Sequence, residues 1–421
     1  MSDLIRLHAP IPVRAAGRVG ACTQISLDRM LVAFDGPVDA SAVDLLLDGD
    51  TVTVEVAVTS ARGGLHDLRV LAYAGDGRAR LNAQISSLRK TAHLTIAATE
   101  DVEAGSTKAG WEGWRLRHCA LPELDADAVD LATTFLGKDL AGPLLIAGMT
   151  GGSDRAGEVN RRLAVAAQEL GIGMGLGSQR AMLEARALSA TFDVRREAPD
   201  VLLLGNIGAV QLNYGVGIDD VRWLVDAVQA DALAIHLNVL QELVQPEGDR
   251  DWSGLLLKIE ALVAALDVPV LVKETGCGID AGTARRLEDA GVAALDVGGL
   301  GGTSWGWIEG FRAADPERQA IGATFRDWGT PTAEALVAVR EAVDVPLMAT
   351  GGVRSGLDVA KAIALGADVA GMALPFFRAA DRSTEDAVAL GRRILDEIRI
   401  AAVCSGSARL ADLPAALEPV R

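Results

Sequence analysis

The chain has 421 residues, half of them hydrophobic and 23% charged, a composition that supports a packed core over disorder. Lys and Arg number 40 against 57 Asp and Glu, a formal charge of −17, which argues against broad binding to nucleic acid or to a membrane but leaves room for local cations around a small phosphorylated ligand. Cys22, Cys119, Cys277 and Cys404 form no CxxC pair, MSDLIRLHAP lacks the apolar core of a signal peptide, and no run of about 18 apolar residues appears, so zinc ribbons, disulfide frameworks and membrane spans are not expected and a cytoplasmic location is.

Residues 1–84 read as a small α+β or β-rich domain without a chemical motif. TVTVEVAV (51–58) alternates in the manner of a half-exposed strand, and LHDLRVLAYA (65–74) is a second strand. Gly63-Gly64 suits a turn between them, and 39–47 suits a short helix. A polar stretch, 87–142, follows.

From Pro143 short apolar runs alternate with amphipathic segments. The runs are LLIAGMT (144–150), GIGMGLGS (171–178), VLLLGNI (201–207), ALAIHLN (232–238), PVLVKET (269–275), ALDVGGL (294–300), PLMATGG (346–352) and VAGMALP (369–375). Nearly all-apolar strands separated by helices mean a parallel sheet. Eight such units over about 250 residues indicate an α/β fold, the closed (β/α)8 TIM barrel, over an open doubly wound sheet. Residues 85–421 are assigned to it. The connection 301–332, with Trp305, Trp307, Trp328 and Pro331, is long for a βα loop and has the length of a lid.

Barrel active sites lie at the carboxyl ends of the strands. Those ends carry Met149-Thr150, Ser178-Gln179-Arg180, Asn206, His236 and Asn238, Lys273-Glu274, a Gly-rich turn ending at Thr303, Thr350-Gly351-Gly352 and Met372-Ala373. Strands that simply end in turn residues account for the glycines but not for Ser178, Asn206, His236, Asn238 and Lys273 on successive strands. TGGVRSG (350–356), GMALP (371–375) and GGLGG (298–302) suit a phosphate site of backbone N–H groups. Lys273 can face a flavin, form a Schiff base, or pair with Glu274. His236 and Asn238 share a strand face and can donate to a phosphate or a flavin; Gln241 and Glu242 lie just beyond, and Glu242 can hold Mg²⁺ or be a solvated carboxylate. Arg89, Lys90 and His93, in RKTAH, can join Arg180 on a diphosphate or be ordinary solvated charges.

Taken together, RKTAH (89–93), RHCALPELDADAVDLATTFLGK (117–138), MTGGS (149–153), GLGSQRAML (175–183), NIGAVQ (206–211), HLNVLQELVQPEGD (236–249), VKETGCG (272–278), GGLGGTSWGWIE (298–309), DWGTPT (327–332) and TGGVRSGLDVAKAIALGAD (350–368) resemble the FMN-dependent type II isopentenyl-diphosphate isomerases over about 85–400. The resemblance implies a barrel that binds FMN, NADPH and Mg²⁺, interconverts isopentenyl and dimethylallyl diphosphates, and forms homo-oligomers, tetramers or octamers. It implies FMN contacts for Met149, Thr150, Ser178, Asn206, Lys273, Thr303, Gly351, Arg354 and Ala373. It implies diphosphate or pocket roles for Arg89, Lys90, His93, Arg180, His236 and Asn238, an alkene neighbour in Gln241, metal binding by Glu242 and a pocket cover in Trp305. Gly148, Cys277 and Gly298 depart from the residues usual in the family. Moving a double bond needs a proton added at one carbon and removed at another, and no side-chain acid in these motifs is an obvious source, which points to reduced flavin as the acid and base. A flavin oxidase of 2-hydroxy acids would need a late His–Arg pair, and no histidine follows His236. A non-catalytic flavoprotein would not need Arg89, Lys90, Gln241 and Glu242; a prenyl-diphosphate enzyme with a different outcome stays open.

Overall fold

The computed structural model describes residues 5–36, 38, 40–47 and 50–420. The first unit is built by period-two alternation. Strands β1 (Ile5–Ala15), β2 (Arg18–Ile25), β3 (Arg29–Phe34), β4 (Ala42–Leu47), β5 (Asp50–Arg62) and β6 (Leu65–Tyr73) close into an antiparallel barrel in the order β1-β2-β3-β6-β5-β4. Met30 and Val32, Val43 and Leu45, and Val52, Val54 and Val56 point inward, with Cys22, Ile25 and Leu68 beside them. Both expected strands are present, and Gly63 and Gly64 make the turn between them with φ of 57° and 82°, a conformation open to glycine.

The short helix expected over 39–47 is a strand. Asp39 lies outside the described residues; 42–47 pairs with β5 from Ala42↔Glu55 to Leu47↔Asp50. Six residues are too few to sustain a helix alone, and the ladder satisfies their backbone while Val43 and Leu45 alternate into the core.

After three residues the chain enters α1 (Gly77–Thr99), a helix that contains residues 84 and 85. Its first half packs Leu81, Ile85 and Leu88 on the small barrel; its second half sends Leu94, Ile96 and Ala97 into the core of the large one.

Each of the eight apolar runs carries a barrel strand, the third running one residue past its end: Leu144–Ile146, Gly173–Gly175, Leu203–Gly208, Ala232–Leu237, Val270–Glu274, Ala294–Asp296, Leu347–Ala349 and Val369–Met372. They pair in parallel in chain order, and the first closes on the last through Leu144↔Ala370. The polar stretch before them holds a hairpin, Thr133–Phe135 with Lys138–Leu140. Its Phe135 and Leu140 pack with Leu145, Leu204, Ala234, Leu271 and Met348 inside the barrel and stopper its amino-terminal mouth.

The long connection is not an open loop. Helices Trp305–Arg312 and Pro316–Thr324 fill it, each started by a side-chain cap, from Ser304 and Asp315. The first of them packs on α1 and on the helix Val239–Val244. Among the described residues, no helix is long and apolar enough to cross a membrane.

Candidate active site at the carboxyl ends of the barrel strands

Two adjoining cavities open at the carboxyl ends of the strands. The larger, about 890 Å³, is lined by Arg89, Lys90, His93, Met149, Thr150, Ser178, Arg180, Asn206, His236, Asn238, Gln241, Glu242, Lys273 and Trp305. The smaller, about 560 Å³, is lined by Thr303, Gly351, Arg354 and Ala373 together with Met149, Lys273 and Trp305. Every site residue expected from the sequence therefore borders one cavity or both. The cavities meet at five shared residues, Gly148, Met149, Lys273, Thr275 and Trp305.

His236 is fixed by its neighbour. Asn206 donates its Nδ2 to the Leu176 carbonyl, 2.8 Å away, so its Oδ1 is the acceptor that faces His236 Nδ1 at 2.8 Å. The ring is then protonated at Nδ1 and its Nε2 is a lone-pair acceptor, where the sequence reading had a donor. Burial, with Lys273 and Lys90 nearby, pushes its pKa down to about 3, so it is neutral. Gly208 keeps the space beside it open: a Cβ there would lie 3.0 Å from His236 Nε2 and 2.2 Å from Gln211 Oε1.

Lys273 and Glu274 do not pair through their side chains. Lys273 Nζ donates to the Glu274 backbone carbonyl at 3.1 Å. The Glu274 carboxylate faces the other way and accepts from the backbone N–H groups of Thr275, Gly276, Cys277 and Gly278. Burial pushes its pKa up to about 7 while those N–H groups pull it down. Lys273 is also level with the fully buried Asp296 on the next strand, whose Oδ1 accepts from Thr350.

The cation cluster comes from two helices, α1 and Arg180–Glu184. On α1, Arg89 reaches within 4.0 Å of Glu247, and Lys90 donates to the Ser178 carbonyl. Arg180 is held by Glu184 and Asp249 at 3.0 and 2.9 Å. Burial and then the charge of Arg89 push the Lys90 pKa down to about 7. An anion placed among these groups would relieve their mutual repulsion.

Below them lies an ionic group that the sequence reading did not assign. Glu309 is fully buried; its Oε1 is 2.9 Å from His93 Nε2 and accepts from Gln241 Nε2 at 3.0 Å, and its Oε2 accepts from Arg312 at 2.8 Å. Arg312 also binds Glu247. Burial raises the Glu309 pKa, but Arg312 and His93 outweigh it and hold the carboxyl below its usual range. Glu309 lies one helical turn after Trp305, and Trp305 meets His93 edge-on at 5.5 Å. The signal was a carboxylate on the inward stripe of a helix, next to Ile308.

Glu242, 6% exposed, accepts from Asn238 Nδ2 and from the Asp249 backbone N–H. Burial raises its pKa. Each oxygen keeps a lone pair. Among the described residues, no group of three or more His, Cys, Asp and Glu can hold a metal, so Glu242 would share an ion with ligand oxygens, which is how Mg²⁺ is commonly held on phosphates. Buried Asn238 Oδ1 lacks a hydrogen-bond partner among the described residues. In the smaller cavity the backbone forms a cradle. Gly351 has φ of 98°, and a Cβ on it would meet the Gly299 carbonyl at 2.0 Å.

The chain is similar to known proteins over most of its length. Over 334 residues the chain is 53% identical to "Isopentenyl-diphosphate delta-isomerase" of Synechococcus sp., covering 79% of this chain and 96% of that one. It is 52% identical over 327 residues to the protein of the same name from Stutzerimonas stutzeri, covering 77% and 94%. The chain belongs to the isopentenyl-diphosphate delta-isomerase family. That makes it an isomerase. A family model described as "FMN-dependent dehydrogenase" matches residues 217–418, the part of the barrel that supplies Lys273, Thr303, Gly351, Arg354 and Ala373, and supports a flavoprotein that binds FMN. The barrel is also similar to a crystal structure of (S)-mandelate dehydrogenase, with a TM-score of 0.57 at 16% identity over 81% of this chain and 98% of that one, a likeness of fold alone. The late histidine that a hydroxy-acid oxidase needs is missing here: the histidines at the cavities are His93 and His236, neither on the last four strands.

Proposed function

We propose that this chain isomerises isopentenyl diphosphate and dimethylallyl diphosphate with reduced FMN, NADPH as its reductant and Mg²⁺ on the diphosphate. The carrying observation is the meeting of two cavities at Met149, Lys273 and Trp305, one ringed by Arg89, Lys90 and Arg180, the other by a glycine cradle with Arg354. Together they suit a diphosphate ester laid against a tricyclic ring.

Reduced FMN, when bound, supplies an electron-rich face and N–H acid positions for the proton transfers. The chain's own residues do the rest. Arg89, Lys90 and Arg180 anchor the diphosphate by charge-assisted hydrogen bonds, and Glu242 holds Mg²⁺ against it. Asn238 holds both Gln241 Oε1 and Glu242 Oε1, at 3.1 and 3.0 Å, which links the metal carboxylate to the alkene end. Glu309 takes up the Gln241 N–H, so the amide turns its oxygen, the negative end of its dipole, towards the Asn238 side, where it favours positive charge developing on carbon. Neutral His236 offers an acceptor, and Trp305 shields the hydrocarbon from water. Met149, Thr150, Ser178, Asn206, Thr303, Gly351, Arg354 and Ala373 hold the cofactor, and Lys273 favours the anionic reduced ring. Residues 1–84 and 85–421 are the two domains, and the enzyme works as a cytoplasmic homo-oligomer.

The test is anaerobic incubation of the purified protein with FMN, NADPH, Mg²⁺ and isopentenyl diphosphate in D₂O. Dimethylallyl diphosphate carrying solvent deuterium is expected. FMN binding without conversion would keep fold and cofactor and remove the substrate.

A further inference from the structure

The cations assigned to the diphosphate sit on a helix whose other end belongs to a different barrel. Leu81, Ile85 and Leu88 recur at i, i+4 and i+7 and pack on the core of the six-stranded barrel; Leu81 is fully buried there. Arg89, Lys90 and His93 follow at once and line the large cavity, and Leu94 and Ala97 continue into the core beyond. The link from β6 is three residues long and tied down. The Ala74 N–H donates to the Thr53 carbonyl, Gly77 N–H donates to Ala74, and Arg80 donates to the Thr51 carbonyl. A Cβ on Gly77 would lie 3.2 Å from Val52, so the helix starts directly against β5.

Local sequence does little to hold this helix. Asp76 makes no side-chain cap, and the first turn has no acidic residue. Thr95 and Thr99 bond back to the carbonyls of Thr91 and Thr95, which loosens a helix. Two adjacent cations, with Arg180 opposite, repel each other. Packing at both ends therefore adds to the contacts with Glu247, Ser178 and Glu309 that keep the Arg89–His93 turn in place. The match to the Synechococcus relative leaves about a fifth of this chain uncovered, roughly the size of the small barrel.

We propose that the six-stranded barrel is a positioning domain for the site: by gripping Leu81 and Ile85 it fixes, through α1, where Arg89, Lys90 and His93 stand. This rests on the reading of Arg89 and Lys90 as diphosphate ligands. If the grip sets the cations, then diphosphate must in turn steady the grip, because coupling between sites is reciprocal.

The experiment is amide hydrogen exchange on the full-length, FMN-loaded protein with and without inorganic diphosphate and Mg²⁺, repeated on Leu81→Ala. Slowed exchange is expected in both halves of α1 and in the β5 segment 51–56. Leu81→Ala should weaken diphosphate binding by about fivefold or more and raise KM for isopentenyl diphosphate in parallel, with kcat changed less and the flavin spectrum intact. Should that variant lose the fold of the small barrel, Ile85→Val removes one methylene and gives the same comparison. Protection confined to 89–99, with diphosphate bound equally well by the variants, overturns the proposal and leaves the ligand reading standing. Protection nowhere in α1 removes the ligand reading and the proposal with it.

Discussion

The Asn206 carboxamide oxygen stands 2.8 Å from His236 Nδ1, and this contact, with the amide nitrogen spent on Leu176, sets the tautomer of the one histidine among the barrel-strand tips. With a pKa near 3 against 6.5 for a free ring, His236 does not titrate between pH 5 and 9. The sign for stability follows. The native state refuses a proton that the unfolded chain accepts, so stability is intact above about 6.5 and is lost as pH falls towards 3. Asn206→Asp should raise the His236 pKa by about one unit or more, read by imidazole ¹⁵N NMR. An unmoved titration would mean that residue 206 is not the ring's partner.

If Lys90 binds the diphosphate as proposed, that binding depends on pH. The Lys90 pKa is near 7 without an anion, and an anion raises it. Above pH 7 binding must therefore take up a proton, and affinity should fall as pH rises from 6 to 8.5. Calorimetry with inorganic diphosphate in buffers of different ionisation heat should find uptake approaching about one proton at pH 8.5. Lys90→Gln should abolish that uptake.

Glu309→Gln keeps the shape of the side chain but removes the charge that Arg312 and His93 share. Breaking one arm of a buried ion pair costs about 3 kcal/mol. A lower denaturant midpoint is expected, together with reduced turnover at saturating substrate, because Gln241 loses its orienting carboxylate. Glu309→Asp should recover part of the turnover. Equal stability in Glu309→Gln and the parent would show that Glu247 alone satisfies Arg312.

Glu242→Gln should raise the Mg²⁺ concentration for half-maximal turnover by about tenfold or more, with FMN binding unchanged. A superimposable Mg²⁺ titration would take Glu242 out of the metal site.

Most of the barrel was legible because its strands are buried on both faces and so are written as apolar runs. The strand tips could be read because polar residues there have no packing reason to exist. Less legible was 39–47, where Ala and Leu hid a period-two pattern that only pairing with β5 reveals. Glu309 and Arg312 were missed because each is a common surface residue until burial pairs them. The donor assigned to His236 became an acceptor because the choice lies with Asn206, thirty residues away. In the long connection, length suggested a lid; the caps at Ser304 and Asp315, which make it two packed helices, were in the sequence but unread.

The Phe135–Leu140 plug has a kinetic consequence. A barrel sealed underneath has one doorway, so prenyl ester and flavin arrive from the same side and no molecule passes through from end to end. With Trp305 as the proposed cover, spent product blocks the way for its successor until it backs out past that side chain. Departure, more than proton transfer, is then where crowding by a bulkier prenyl chain would be felt.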